Sequence, residues 1–236
     1  MDISMSETKK KLALACRILY MEGLGDFHLG HMSCRVPGQN HFYMKPSGLG
    51  LEEINPEDLI VLDMEGNKLE GIHPPHGEFP IHSEIYKARK DVQSVVHVHP
   101  LFSTACSSVR IEMKPLTQDG TFFPRGIPVF EDPELITRKE QGKALAQVLC
   151  ENNALLLRNH GIVTAGGSIE EALIIALSLE KALKIQFMAS LIGKIEPIPE
   201  KTALNMFRTV NQNPRRTEDI WNYLVRKLNR EDLGLD

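Results

Sequence analysis

Hydrophobic and polar positions follow two different periods in the first third of the chain. Residues 6–22 place apolar side chains at helical intervals, and the glycines at 23 and 25 then end the pattern, so a helix is predicted there. After Gly25 the chain changes to short apolar runs between turns. Residues 41–44 and 59–62 have the composition and length of strands.

The segment between residues 65 and 99 contains a predicted hairpin, a helix and a buried strand. Glu65-Gly66-Asn67 forms a turn signal into residues 68–70, which predicts a hairpin. Residues 80–89 begin with a proline, which favours the first turn of a helix. Residues 95–99, Val-Val-His-Val-His, are predicted to form a strand with both faces buried.

The remaining pattern alternates helices with one further strand. Residues 137–151 open with Thr-Arg-Lys-Glu, the form of a capping box, and predict a helix. Residues 154–163 predict a single buried strand, and residues 168–193 a long helix that is apolar around most of its circumference. Subunit packing would cover its second side. A tail from about residue 196, expected to pack at a subunit interface, ends in a short predicted helix.

These elements together predict an α/β protein whose sheet is partly antiparallel and covered by helices. At 236 residues, the chain is most simply one domain, residues 1–236. The net charge of −4 gives no reason to expect binding to nucleic acid or to an anionic membrane. Charged residues at 180, 181 and 184 interrupt the most apolar segment, which argues against a membrane span.

Two observations predict a cytoplasmic location. The polar residues 1–11 are not followed by the apolar segment of a signal peptide. The four cysteines at positions 16, 34, 106 and 150 have no paired spacing, so free thiols are expected.

Candidate chemistry is concentrated in histidines near strand ends. On a strand, residues i and i+2 point to the same face, so His97 and His99 would lie side by side, about 7 Å apart along the backbone. His160 follows a second apolar run, and Glu78 lies upstream in His-Gly-Glu-Phe-Pro. Three neutral imidazoles and a carboxylate would make a metal site with a base beside it.

The order of five motifs resembles the class II aldolase/adducin family over about residues 8–195. The motifs are Gly-His-Met-Ser-Cys-Arg at 30–35, Lys-Pro-Ser-Gly at 45–48, the Glu78 segment, His97-x-His99, and Asn-His-Gly at 159–161 before the long helix. The resemblance implies a three-layer αβα sandwich with a mostly antiparallel central sheet. It also implies a homotetramer with active sites at subunit interfaces and a small-molecule substrate.

The resemblance further implies roles for individual residues. His97, His99 and His160 would hold one divalent metal per subunit, with zinc favoured over manganese, iron or cobalt, and Glu78 would be the catalytic acid/base. Independently of the resemblance, His31 and His76 are candidates for binding a substrate carboxylate or for relaying a proton. We expect the histidines at 41, 73 and 82 to be structural and the arginine at 35 to form an ion pair.

The residues that hold phosphate in the family's aldolases are only partly present. Ser47 and Gly48 match one pair and could bind an anion. His31 stands where an asparagine is expected, and His76-Gly77 replaces two serines. This pattern argues against a phosphate substrate and is more similar to the branch of decarboxylases that act on hydroxylated aromatic or enol acids.

The sequence therefore predicts a metal-dependent carbon–carbon lyase that stabilises an enediolate or enolate. Decarboxylation of a small hydroxylated aromatic or keto acid is favoured over aldol cleavage. A fuculose-phosphate-type sugar-phosphate aldolase, a dehydratase or an epimerase remains an alternative. An adducin-like binding protein is a more remote one, because a scaffold has no need of the four residues at 78, 97, 99 and 160.

Overall fold

Within residues 3–235, eight β-strands form one sheet. The protein is described by a computed structural model, and the first two residues of the polar N-terminal segment, together with residue 236, lie outside the described residues. The strands, in chain order, are β1 (His31–Arg35), β2 (His41–Met44), β3 (Ile60–Asp63), β4 (Lys68–Glu70), β5 (Ser94–Val98), β6 (Val129–Phe130), β7 (Ala154–Leu157) and β8 (Gly161–Gly166).

Helices lie on both faces of this sheet. Among the helices of residues 3–235, none combines the length and apolar character needed to cross a membrane. A short 3₁₀ turn at Asp119–Phe122 and a π-helical turn at Phe207–Asn211 complete the helical structure. The α-helices are α1 (Ile3–Met21), α2 (Phe79–Ala88), α3 (Leu101–Ser107), α4 (Lys139–Leu149), α5 (Ile169–Ile192), α6 (Glu200–Met206) and α7 (Pro214–Arg230).

The strand order in the sheet is β4-β3-β2-β1-β5-β8-β7-β6. Six of the seven neighbouring pairs are antiparallel, and only β6 and β7 run parallel. The predicted mostly antiparallel sheet is therefore confirmed. β5 lies at the centre between β1 and β8, so the histidine strand has a partner on each side.

Side-chain alternation along β5 divides the core into two layers. Val96 and Val98 point to the face covered by α1, α5 and α7, and belong to the larger apolar cluster. Val95 belongs to the second cluster, which packs against α2 and α4. The fold is thus the expected αβα sandwich, and His97, which alternates with Val96 and Val98, lies on the α2 side.

The structure corrects two predictions of the second half. The apolar segment at 154–163 is two strands, because residues 158–160 turn the chain between β7 and β8. Asn159 has a φ of 55°, a left-handed conformation that asparagine tolerates. The predicted capping box of Thr137 and Glu140 is not formed: the N-cap is Arg138, whose N–H donates to Gln141 Oε1 at 3.2 Å and whose side chain makes no capping hydrogen bond among the described residues.

The last helix is longer than predicted and packs on its own chain. α7 has 17 residues, and its buried side chains are Trp221, Leu224 and Leu228. These three belong to the same apolar cluster as α1 and α5. The C-terminal region therefore covers part of the outer face of the sandwich.

We expect one fast-reacting thiol in the native protein. All four cysteines are free, but Cys16, Cys34 and Cys106 are buried and only Cys150 is exposed. Burial raises the pKa of Cys16 to about 12, so its reactive thiolate is scarce at neutral pH. Titration with a disulfide reagent should label one thiol before unfolding and four after it. Cys150→Ser should abolish the fast phase; a second fast thiol would contradict the packing.

Candidate metal centre

Three histidines meet at the end of β5. His97 is fully buried on β5, His99 follows one residue after that strand ends, and His160 lies in the turn between β7 and β8. The ring centroids of His97 and His99 are 4.8 Å apart. The centroid of His160 lies 4.9 Å from that of His97 and 5.0 Å from that of His99. The structure thus brings the three predicted ligands together, although His160 is carried by a turn.

Hydrogen bonds on the outer side of two rings decide which nitrogen carries the proton. His97 Nδ1 lies 2.9 Å from the main-chain oxygen of Ile162, which can only accept, so Nδ1 carries the hydrogen. His99 Nδ1 lies 3.0 Å from the Asp26 carboxylate and is assigned in the same way. Both Nε2 atoms are therefore unprotonated in the neutral rings.

These inward nitrogens fit a bound cation. The Nε2 atoms of His97 and His99 are 3.0 Å apart, and two bare lone pairs at that distance repel unless a positive charge lies between them. Both ring nitrogens of His160 are buried without a hydrogen-bond partner among residues 3–235. Three convergent imidazoles with unsatisfied nitrogens form the type of donor set that divalent transition metals bind.

Burial favours the neutral, ligating form of these rings. It lowers the pKa of His160 to about 4, with the neighbouring His97 adding to the shift. Burial likewise lowers the pKa of His99, although Asp26 opposes this effect. Protons therefore do not compete for these two rings at pH 7.

Glu78 is held at the edge of the same cluster, immediately before α2. Its Oε1 accepts the Ile136 N–H at 2.9 Å, and its Oε2 lies 3.6 Å from His97 Nε2 and 3.8 Å from His160 Nε2. Burial alone would raise the pKa of Glu78, whereas the Ile136 N–H lowers it by donating to the ionised carboxylate. The carboxylate is thus held by the main chain and oriented toward the three rings.

His31 and His76 lie on the other side of His97. β1 pairs with β5 so that His31 is directly opposite His97, and their ring centroids are 4.9 Å apart. The His76 ring lies 4.0 Å from that of His31, and burial lowers the pKa of His76 to about 4. His31 Nε2 is fully buried and has no hydrogen-bond partner in the described part of the chain.

Ser47 and Gly48 are not joined to this cluster by any hydrogen bond between described residues. Gly48 has a φ of 89°, and the Ser47 N–H donates to the Pro74 oxygen at 3.0 Å. That N–H is therefore already paired with a main-chain oxygen of another segment. The predicted role of this pair in binding an anion stays a prediction.

Sequence reasoning did not single out Asp26, and it predicted the wrong kind of contact for Arg35. Asp26 orients His99 from 73 positions away in the chain, a separation that no local pattern reveals. His82, expected to be structural, is buried with its Nε2 2.7 Å from His31 Nδ1. Arg35 was expected to form an ion pair, but its guanidinium donates to the main-chain oxygens of Val92 and Tyr86.

Gly161 gives a test of how tightly the His160 turn is packed. A Cβ at this position would lie 2.6 Å from the Val98 oxygen and 2.7 Å from His99 Cδ2. Gly161→Ala should lower the free energy of unfolding by about 1–3 kcal/mol and weaken zinc binding, because His99 must move. Urea denaturation and zinc titration would measure both effects.

Gly193→Ala is the matched control for that experiment. A Cβ there meets no atom within 4 Å, so the change should stay within about 0.5 kcal/mol. Equal effects of the two substitutions would show that the close approach at Gly161 does not exist.

Comparison with known proteins agrees with this architecture. The 3,4-dihydroxyphthalate decarboxylase of Arthrobacter keyseri is 30% identical over 207 residues, 81% of this chain and 83% of that protein. An aldolase II superfamily structure from Pseudomonas syringae superposes with a TM-score of 0.89 at 27% identity, covering 99% of this chain and 96% of that one. The L-fuculose 1-phosphate aldolase from Glaciozyma antarctica PI12 has a TM-score of 0.85 at 28% identity, covering 96% and 91%. Residues 10–187 match the Class II Aldolase and Adducin N-terminal domain, and the chain therefore belongs to the class II aldolase/adducin family.

Proposed function

We propose that this protein is a metal-dependent carbon–carbon lyase that decarboxylates a small hydroxylated carboxylic acid. His97, His99 and His160 would hold one divalent ion per subunit, and we favour zinc because three neutral imidazoles with an open position suit it. Bound there, the ion would act as a Lewis acid toward a substrate oxygen. The family's metal-dependent aldolases and decarboxylases support an enzymatic role.

Glu78 is the proposed acid/base. Its ionised carboxylate faces the three rings, so it can accept a proton from a substrate hydroxyl that enters between them. When the carbon–carbon bond breaks, carbon dioxide leaves, and the electron pair of that bond stays on the remaining fragment. The protonated Glu78 can then return its proton to the carbon that lost the carboxylate.

The observation that carries decarboxylation is the His31 nitrogen that is buried without a partner. His31 lies beside His97, and His76 lies beside His31, so a substrate carboxylate bound at these rings would also be near Glu78. Buried polar groups without a partner are costly, and a carboxylate oxygen would satisfy His31 Nε2. The 30% identity to a dihydroxyphthalate decarboxylase supports the same substrate class.

The test compares two products from the zinc-loaded protein. Hydroxylated aromatic acids should release carbon dioxide, whereas ketose phosphates should release little aldehyde. Both assays should be repeated after chelation to separate the enzyme from background reactions. Aldehyde release from ketose phosphates without carbon dioxide release from the acids would reject the proposal.

Aldol cleavage of a hydroxy-keto substrate is the second candidate. The high structural similarity to the L-fuculose 1-phosphate aldolase of Glaciozyma antarctica PI12 supports it. Aldol cleavage would use the same metal ligands and Glu78, because breaking the carbon–carbon bond also leaves its electron pair on the carbon next to a carbonyl. The pair Ser47-Gly48 would then be the part of a phosphate site that remains.

We also propose a single domain, residues 1–236, that forms a homotetramer with the metal centre at a subunit interface. An open cleft of about 460 Å³ leads to His99 and His160, and Leu101 at its rim is 74% exposed. Leu191 and Ile192 at the end of α5 are 73% and 86% exposed. Apolar side chains at these sites suit a second subunit. Light scattering should give four times the mass of the chain.

The predicted cytoplasmic location is supported by the state of the thiols. All four cysteines are free, which is what a reducing compartment maintains. In that compartment the protein would act on a small-molecule substrate, as its relatives' names indicate for them.

A further inference from the structure

A buried chain of hydrogen bonds leads from His31 away from the metal centre. His31 Nδ1 lies 2.7 Å from His82 Nε2, and His82 Nδ1 lies 2.6 Å from Ser33 Oγ. Ser33 Oγ in turn lies 2.7 Å from the Tyr86 hydroxyl. All four side chains are fully buried. The mechanism described above uses only the first of them.

The spacing of these residues explains why they meet. His31 and Ser33 are two positions apart on β1, so their side chains share the face toward α2. His82 and Tyr86 are four positions apart on α2, so both project from one side of that helix. The packing of α2 on the sheet therefore aligns the two pairs into one chain.

The direction of these hydrogen bonds follows from the Tyr86 hydroxyl, which is the last group in the series that starts at His31. Ser33 Oγ is the one acceptor near the Tyr86 hydroxyl among the hydrogen bonds of residues 3–235, and an unpaired buried hydroxyl is unfavourable. Tyr86 therefore donates to Ser33, and the Ser33 hydroxyl then donates to His82 Nδ1.

The two imidazoles donate hydrogen bonds in the same direction, from Tyr86 toward His31. His82 accepts at Nδ1, so as a neutral ring it carries its hydrogen at Nε2 and donates it to His31 Nδ1. His31 accepts at Nδ1 and carries its own hydrogen at Nε2. Burial lowers the pKa of both rings well below the usual value, which agrees with neutral imidazoles.

We propose that Tyr86, Ser33 and His82 are positioning residues that make His31 a hydrogen-bond donor to a substrate carboxylate. An Nε2 that carries a hydrogen cannot ligate a metal, so His31 is excluded from the ligand set although it lies beside Glu78 and His97. The N–H instead favours an oxygen anion. The carboxylate part rests on the proposed function, but the tautomer of His31 does not.

Nitrogen NMR of the zinc-loaded protein, labelled with ¹⁵N in histidine, tests the tautomer directly. Long-range proton–nitrogen correlations should show hydrogen on Nε2 and a bare Nδ1 for both His31 and His82, assigned with His31→Gln and His82→Gln. Hydrogen on Nδ1 of His31, or a zinc-shifted His31 Nε2, would overturn the proposal. This result does not depend on any enzymatic activity.

A binding experiment tests the consequence for the substrate. Salicylate and catechol both offer adjacent oxygens to a metal, but only salicylate has a carboxylate. Ser33→Ala removes the link between Tyr86 and His82, and it should weaken salicylate binding to the zinc-loaded protein about tenfold while leaving catechol unchanged. Equal weakening of both ligands, or of neither, would contradict a donor aimed at the carboxylate.

Two further variants keep the test decisive if Ser33→Ala does not fold. Tyr86→Phe breaks the same chain at its end and should shift binding in the same direction. Tyr43→Phe is its matched control, because Tyr43 is also buried in the sheet but belongs to the apolar cluster on the opposite face. If wild-type protein bound catechol but not salicylate, the proposed substrate class and the carboxylate role would fail, whereas the tautomer would still be decided by NMR.

Discussion

His97→Ala should abolish stoichiometric metal binding and lower activity by about 10³-fold or more. Its Nε2 lies close to both a second proposed ligand and the proposed acid/base, 3.0 Å from His99 Nε2 and 3.6 Å from Glu78 Oε2. Lewis-acid stabilisation contributes several kcal/mol to such reactions, and each 1.36 kcal/mol is a tenfold change in rate. Metal content by elemental analysis and carbon dioxide release from a hydroxylated acid would measure the two losses.

His41→Ala is the matched control for this substitution. His41 lies on β2 and bonds only to Gln39 among the described side chains, away from the cluster. The control should keep one metal per chain and full activity. Chelation of the wild-type protein should reproduce the His97→Ala result, and re-added zinc should reverse it. Full turnover by the metal-free protein would refute the proposed chemistry.

The parts of the site that could be predicted are those with local spacing. His97 and His99 are two positions apart in an apolar run, and strand geometry alone places them on one side. The structure agrees, with their ring centroids 4.8 Å apart. The element pattern predicts a partly antiparallel sheet covered by helices, the family resemblance implies the αβα sandwich, and the sheet topology confirms both.

The His160 turn was overlooked although the sequence carries a signal for it. β7 and β8 are buried on both faces, so their apolar runs lack the polar alternation that separates two half-buried strands. The polar residues Arg158, Asn159 and His160 between these runs, followed by Gly161, are typical of a turn, and the structure has a turn there. The contacts of Asp26 with His99 and of His82 with His31 depend on packing between distant segments, which no local pattern contains.

Glu78→Gln should lower kcat by about 10²- to 10⁴-fold and leave the metal content unchanged. The amide oxygen can still accept the Ile136 N–H at the position where Glu78 Oε1 accepts it at 2.9 Å, so the side chain should keep its place. The amide cannot exchange a proton with the substrate, which removes the general acid/base contribution. Steady-state kinetics on a hydroxylated acid, together with elemental analysis, would separate the two effects.

Glu84→Gln, in the helix that Glu78 immediately precedes, supplies the matched control. Glu84 is also buried, but its Oε1 lies 2.7 Å from Lys87 Nζ and takes no part in the histidine cluster. Loss of its charge should change stability without changing the catalytic rate. If Glu78→Gln instead lost the metal, Glu78 would be a ligand and some other group would have to move the proton. If it kept full activity, the carboxylate would have no chemical role, and the lyase mechanism proposed for this site would be wrong.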